Sequence, residues 1–157
     1  MSTVALQTIL VPTDFSDCSA LALRYARALA ERFSARLHLL HAVPSPFDQP
    51  WAAEIYAVSQ EQFTDAARKD SDGRLAALLT EAEHRQFDVK VATEIGQPAA
   101  TIVDYAVRES IDLIVMGTHG RGAVAHLLIG SVAENVVRRA PCPVLTVRPD
   151  EHDFVTA

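Results

Sequence analysis

The stretch Asp112–Val132 reads DLIVMGTHGRGAVAHLLIGSV. Its opening run, Leu113–Met116, is apolar without a break, which fits a strand buried on both faces. Gly117, Gly120 and Gly122 follow within six residues. Gly130 and Ser131 then precede a segment, Ser131–Arg139, that reads as a helix with Val132, Val136 and Val137 turned inward. Buried strand, glycine-rich loop and helix start come in the order that a parallel α/β sheet requires.

The same alternation extends in both directions. Thr8–Pro12, TILVP, is a short branched apolar run and predicts a strand. Ser16 is placed to cap the following helix, whose inner face would carry Ala22, Tyr25, Ala26, Leu29, Ala30 and Phe33. Leu37–Val43 predicts a second strand, and Pro44–Trp51 a proline-rich loop. Residues 53–86 read as an irregular helix with a break or kink at Gly73; Leu75, Leu78, Leu79 and Ala82 form the apolar face of its second half. Val89, Val91, Thr93 and Ile95 alternate with more polar neighbours, as on a strand near a sheet edge. Pro98 can open a helix with Ile102, Val103, Ala106 and Val107 inward. Val144–Val147 predicts the last strand, and the tail from Pro149 is expected to be loose.

The chain therefore reads βαβαβαβαβ. Parallel strands need crossover helices, and right-handed crossovers leave few topologies. The expected fold is α/β: one doubly wound, five-stranded parallel sheet of order 3-2-1-4-5 with helices on both faces.

Composition excludes several function classes. The 157 residues suit one domain, and 49% are apolar, enough for a packed core. The formal net charge of −6 argues against a general nucleic-acid binder. Cys18 and Cys142 stand far apart and read as isolated thiols, and the six histidines form no metal-ligand spacing. The N-terminus lacks a basic region before an unbroken apolar run, and no stretch is long enough to span a bilayer. No signal peptide and no membrane association are expected, and the cytoplasm is the expected location.

The glycine-rich segment carries the chemistry. Glycines let backbone N–H groups approach a ligand and form an anion-binding nest. A helix starting at Ser131 adds unpaired N–H groups and a partial positive charge. Each glycine alone is ordinary loop punctuation, and Ser131 alone is an ordinary cap. Placed together between strand and helix they point to a phosphate site. A Walker A loop is ruled out because no lysine follows the glycines. Gly120–Ala125 satisfies GxGxxA, but this dinucleotide fingerprint should enter a helix directly and have an acid about 20 residues on. That neighbourhood holds Pro141, Cys142 and Pro143 instead.

The spacing G-x-x-G-x9-G-S, from Gly117 through Gly120 to Gly130 and Ser131, resembles the ATP-binding motif of the universal stress proteins. TILVPTDFS, DLIVMGTHGR and RRAPCPVLTVRP are similar to that family's first, fourth and last strands with their turns. The resemblance covers about Gln7 to Pro149. It implies an adenine nucleotide alpha hydrolase-like sheet, Rossmann-like in outline, with ATP, alone or with Mg2+, at the carboxyl ends of strands one and four. In that reading Pro12, Thr13 and Asp14 face the pocket, and Asp14 binds the ribose or assists a metal ion. Val43 offers backbone groups and an apolar wall to adenine, and Met116 lines the base or ribose side. Gly117, Gly120, Gly122, Gly130, Ser131 and Val132 cradle phosphates through backbone N–H groups. Arg121 lies in the loop, where it can neutralise phosphate or simply face solvent; His119 is expected to face solvent.

The loop offers no obvious base for hydrolysis apart from Asp14. ATP is therefore expected as a bound regulator, with a slow ATPase or a self-phosphorylating enzyme (Thr118 or Ser131 as acceptor) as one alternative. A nucleotide-free interaction protein is the other. The apolar last strand would lie at a sheet edge, a pairing hazard unless covered. The family's habit implies a homodimer that buries Val144, Leu145 and Val147; coverage of that edge by the C-terminal tail is the competing reading. A regulatory role in stress response follows from the resemblance alone.

Overall fold

The computed structural model of the chain describes residues 3–48, 59–120 and 129–155. Along them run β1 (Thr8–Pro12), α1 (Asp17–Phe33), β2 (Arg36–Val43), a 3-10 turn (Pro46–Asp48), α2 (Gln60–Ala76), α3 (Glu81–Gln86), β3 (Lys90–Ile95), α4 (Pro98–Arg108), β4 (Leu113–Gly117), α5 (Ser131–Arg139) and β5 (Val144–Val147). The five strands form one sheet of order β3-β2-β1-β4-β5, parallel at every pairing, as expected.

Strand alternation builds a core on each face of the sheet. Ile9 and Val11 of β1 point one way, with Leu37, Leu39, Val115 and Val147, into a layer closed by Ala22, Tyr25 and Ala26 of α1 and Leu75 of α2. Leu10 points the other way, with Leu40, Ile114 and Met116, toward Ile102 and Tyr105 of α4 and Val136 of α5. Burying each Ile or Leu here is worth roughly 1.5–3 kcal/mol over leaving it exposed. The second layer holds one polar pair. His38 of β2 is 3% exposed, and its Nδ1 is 3.0 Å from the Tyr105 hydroxyl. Burial pushes the His38 pKa down and the Tyr105 pKa up.

Local signals set the element ends. Ser16 caps α1, accepting from the Ser19 N–H, and Ser34 closes that helix in the left-handed region at φ 56°. Pro98 sits at the start of α4. α2 runs unbroken through Gly73, contrary to the expected kink; a β-carbon at Gly73 would meet nothing within 4 Å. The break comes at 77–80, where Thr80 and Glu83 form a reciprocal capping box that starts α3.

Four residues expected inside are exposed, Ala82 of α3 among them. Phe33 is the last residue of α1, where the chain turns back, and is 41% exposed. Val107 lies on the side of α4 opposite Ile102 and Tyr105, and Val137 is about a quarter-turn off the Ala133–Val136 line of α5. The tail is not loose over residues 153–155. Arg24 pairs with Asp153 and donates to the Val155 carbonyl at 2.9 Å, and Phe154 stands edge-on to Tyr25 with centroids 4.9 Å apart.

Candidate functional site at the sheet's switch point

β1 and β4 are neighbours, in register at Ile9↔Leu113 and Leu10↔Ile114, yet their chains continue to opposite sides of the sheet. Such a reversal opens a crevice at the strands' carboxyl ends. Pro12 and Thr13 are buried there, and Thr13 is fastened on every side. Its N–H donates to the Leu40 carbonyl at 2.9 Å, and its hydroxyl lies 2.9 Å from the Ser19 hydroxyl. The His41 ring donates from Nδ1 to the Thr13 carbonyl at 2.7 Å, which fixes the tautomer at that nitrogen.

Asp14 follows in a tight turn. Its Oδ1 accepts the Ser16 N–H at 3.0 Å, and the Phe15 N–H donates to Thr13 Oγ1 at 3.0 Å. Side-chain oxygens thus stand in for backbone acceptors in this turn. Phe15 has φ 63°, a region costly for a bulky residue. Its ring is held between His41, at 4.7 Å between centroids, and the Arg74 guanidinium of α2, 3.9 Å above it.

Across the crevice, Gly117 ends β4 in register with Val147. A β-carbon on Gly117 would come within 2.6 Å of Cys18 Sγ and 3.0 Å of the Cys18 backbone. Its bareness lets α1 pack against β4, a structural demand that exists whether or not a ligand binds. Gly120 is bare for a different reason: a β-carbon there would lie 2.6 Å from Asp14 Oδ2. The loop therefore crosses from β4 to the carboxylate at the end of β1.

Gly130 brings the returning chain over Thr118. The Gly130 N–H donates to the Thr118 carbonyl at 2.6 Å, and a β-carbon would sit 3.0 Å from that oxygen. Gly130 is the N-cap of α5, and among the described residues no side chain caps this helix. The first intrahelical bond runs from Glu134 N–H to the Gly130 carbonyl. The N–H groups of Ser131, Val132 and Ala133 therefore lack helical acceptors, and they carry the positive end of the helix dipole.

The expected residues divide accordingly. Asp14 and Gly120 are brought together, and Gly130, Ser131 and Val132 stand at the opening of α5. Gly130 differs from its expected role, because its amide is already bonded to Thr118 and cannot also donate to a phosphate. Met116 is 5% exposed and packed in the second core layer. Val43 is half-buried, and its carbonyl accepts the Gly96 N–H at 2.9 Å. His119 is half-buried rather than solvent-facing, with Nδ1 2.8 Å from the Thr118 hydroxyl. Arg121 and Gly122 lie outside the described residues. Sequence reasoning missed Phe15, Cys18, His41 and Arg74. The F of TDFS was in view, but the stacking partners that hold it come from other elements.

The loop carries the chain from a carboxylate held against Gly120 to the donor N–H groups at the start of α5, chemistry suited to a ligand with hydroxyls at one end and an anion at the other. Residues 121–128, between Gly120 and the start of α5 in the chain, are outside the described residues. Two hollows among the described residues lie elsewhere: an open one of about 590 Å3 along α2 and a smaller one at the amino ends of β1 and β2. Among the described residues no group of three His, Cys, Asp or Glu side chains could hold a metal ion, and no helix is long and apolar enough to cross a membrane.

Comparison with known proteins agrees with this architecture. The chain is 35% identical over 142 residues to the universal stress protein MJ0531 of Methanocaldococcus jannaschii, covering 89% of this chain and 81% of that protein. A universal stress protein of Thermus aquaticus is 37% identical over 145 residues, covering 90% and 98%. The solved structure of MJ0577, from the same organism as MJ0531, superposes with a TM-score of 0.72 at 28% identity, covering 95% of this chain and all of that one. A universal stress protein solved in complex with cAMP superposes at 0.59 with 30% identity, covering 92% and 98%. The model of the universal stress protein family matches residues 5–148, and the chain belongs to that family.

Proposed function

We propose that the protein is a nucleotide-binding regulatory module of the stress response that holds ATP at the switch point. The observation that carries this reading is the uncapped start of α5 beside a carboxylate at the end of β1. Ser131 and Val132 N–H groups would grip phosphate oxygens, each charge-assisted bond being worth about 1.5–3 kcal/mol. Asp14, held toward Gly120, would accept from ribose hydroxyls, and Val43 would wall the base. A Mg2+ ion would be carried mainly by the phosphates, with water completing its oxygen ligands; assisting that ion is the alternative role for Asp14. A relative solved with cAMP supports an adenine nucleotide as the ligand class.

ATP is here a retained ligand rather than a rapidly consumed substrate. Thr118 is a poor phosphate acceptor, since it is 6% exposed and its hydroxyl is engaged by His119. Mass spectrometry of natively purified protein should find co-purified adenine nucleotide. Protein that carries none, and takes up none at millimolar ATP, would favour an interaction protein that works without nucleotide.

The proposed assembly is a homodimer in the cytoplasm, formed through the free side of β5. Val144 and Leu145 are half-buried in the single chain and available to deepen such a contact. Val147 is already 2% exposed in its own core, so it would support the interface from behind. Light scattering at micromolar concentration should give twice the chain mass; a monomer would contradict the pairing.

A further inference from the structure

We infer that Arg74 of α2 is a positioning residue for the nucleotide site, acting through Phe15 on Asp14; the inference rests on the nucleotide reading above. Phe15 occupies the left-handed region at φ 63° although it is neither glycine nor asparagine. A bulky residue keeps such a conformation only where its surroundings impose it. Two groups face its ring: His41, which also binds the Thr13 carbonyl, and the Arg74 guanidinium, 3.9 Å from the ring centroid. The position of Phe15 fixes the turn on either side of it. Phe15 N–H reaches Thr13 Oγ1, and Asp14 Oδ1 turns to Ser16 N–H. The other carboxylate oxygen then faces Gly120.

Arg74 has little other attachment. Its ion pair with Asp70 is long, at 3.8 Å, and its side chain is 43% exposed. Such a contact contributes little to stability. The stack on Phe15, beside the ring's apolar packing on the cluster that includes Leu75, ties α2 to the turn bearing Asp14. A planar guanidinium stacks on a ring face better than an ammonium does, so lysine should replace it only in part.

The test compares ATP with 2′,3′-dideoxy-ATP, which keeps the base and phosphates but lacks the hydroxyls that Asp14 would bind. Affinities are measured by calorimetry for the natural protein, Arg74→Met and Arg74→Lys. The natural protein should prefer ATP. Arg74→Met should bind ATP about five- to tenfold more weakly, bind the dideoxy analogue as before, and so lose the preference. Arg74→Lys should keep part of it. Equal weakening for both ligands would mark a merely structural role, and unchanged affinity for both would mark none; either overturns the inference. If the natural protein binds both ligands equally, Asp14 does not read the ribose and the inference falls with that role. If it binds neither, the nucleotide reading itself has failed.

Discussion

Gly120 stands so close to Asp14 that a β-carbon on it would lie 2.6 Å from Asp14 Oδ2. The atom in the way is the tip of a side chain, which can swing aside at small cost. Gly120→Ala should therefore leave stability within about 0.5 kcal/mol of the natural protein. The displaced carboxylate should nevertheless weaken ATP binding by about tenfold. Urea unfolding and ATP titration on one preparation check both halves.

Gly117 gives the opposite outcome. A β-carbon there meets the Cys18 backbone at 3.0 and 3.1 Å as well as its sulfur, so a helix must move rather than a side-chain tip. Gly117→Ala should cost about 1–3 kcal/mol of stability, as overpacking does. A matching drop in the urea midpoint is the expected result.

His38 makes the fold acid-sensitive. Burial lowers its pKa, Lys90 and Arg36 lower it further, and Glu109 and Asp88 oppose them. The folded state thus favours the neutral ring, while the unfolded chain titrates near the ordinary value of 6.5. Stability should be full above that pH and fall as pH drops through and below it. Between pH 7.5 and 5.5 Glu109 stays ionised, since its hydrogen bond with Lys90 holds its pKa below the ordinary value of 4.5. His38→Asn should lose less stability over that interval than the natural protein does, as read from denaturation midpoints.

The C-terminal tail contributes through an aromatic contact more than through charge. The Arg24–Asp153 pair is about two-fifths exposed on each side and is worth little. Phe154 against Tyr25 offers an edge-on contact. Phe154→Ala should lower the melting temperature by about 2–4 °C.

Parallel pairing was legible because a helical run separates each short apolar one and forces crossovers, whereas alternation alone left the strand order open among a few topologies. Helix faces were less legible at their flanks. Val107 and Val137 are apolar, but periodicity alone does not say how wide the covered stripe is. Gly73 misled because glycine lowers helix propensity without ending a helix whose neighbours still pack. The real break was written in Thr80 and Glu83, a capping box.

The glycine spacing marked the segment between β4 and α5 but blurred what each glycine does. Gly117 answers to Cys18, Gly120 to Asp14 and Gly130 to the Thr118 carbonyl. Those partners lie from 12 to 106 positions away in the chain, beyond the reach of any local pattern. The stack of His41, Phe15 and Arg74 was invisible for the same reason, since three separate elements supply it.

The central claim is that the bare start of α5 receives a nucleotide's phosphates. Gly130→Asp tests it most directly, because an aspartate at the N-cap would offer its own carboxylate to the Val132 and Ala133 N–H groups. Calorimetric titration with Mg-ATP should show one nucleotide bound per chain in the natural protein and none in a folded Gly130→Asp variant. Equal binding by both proteins, or no binding by the natural protein at millimolar ATP, would contradict the account.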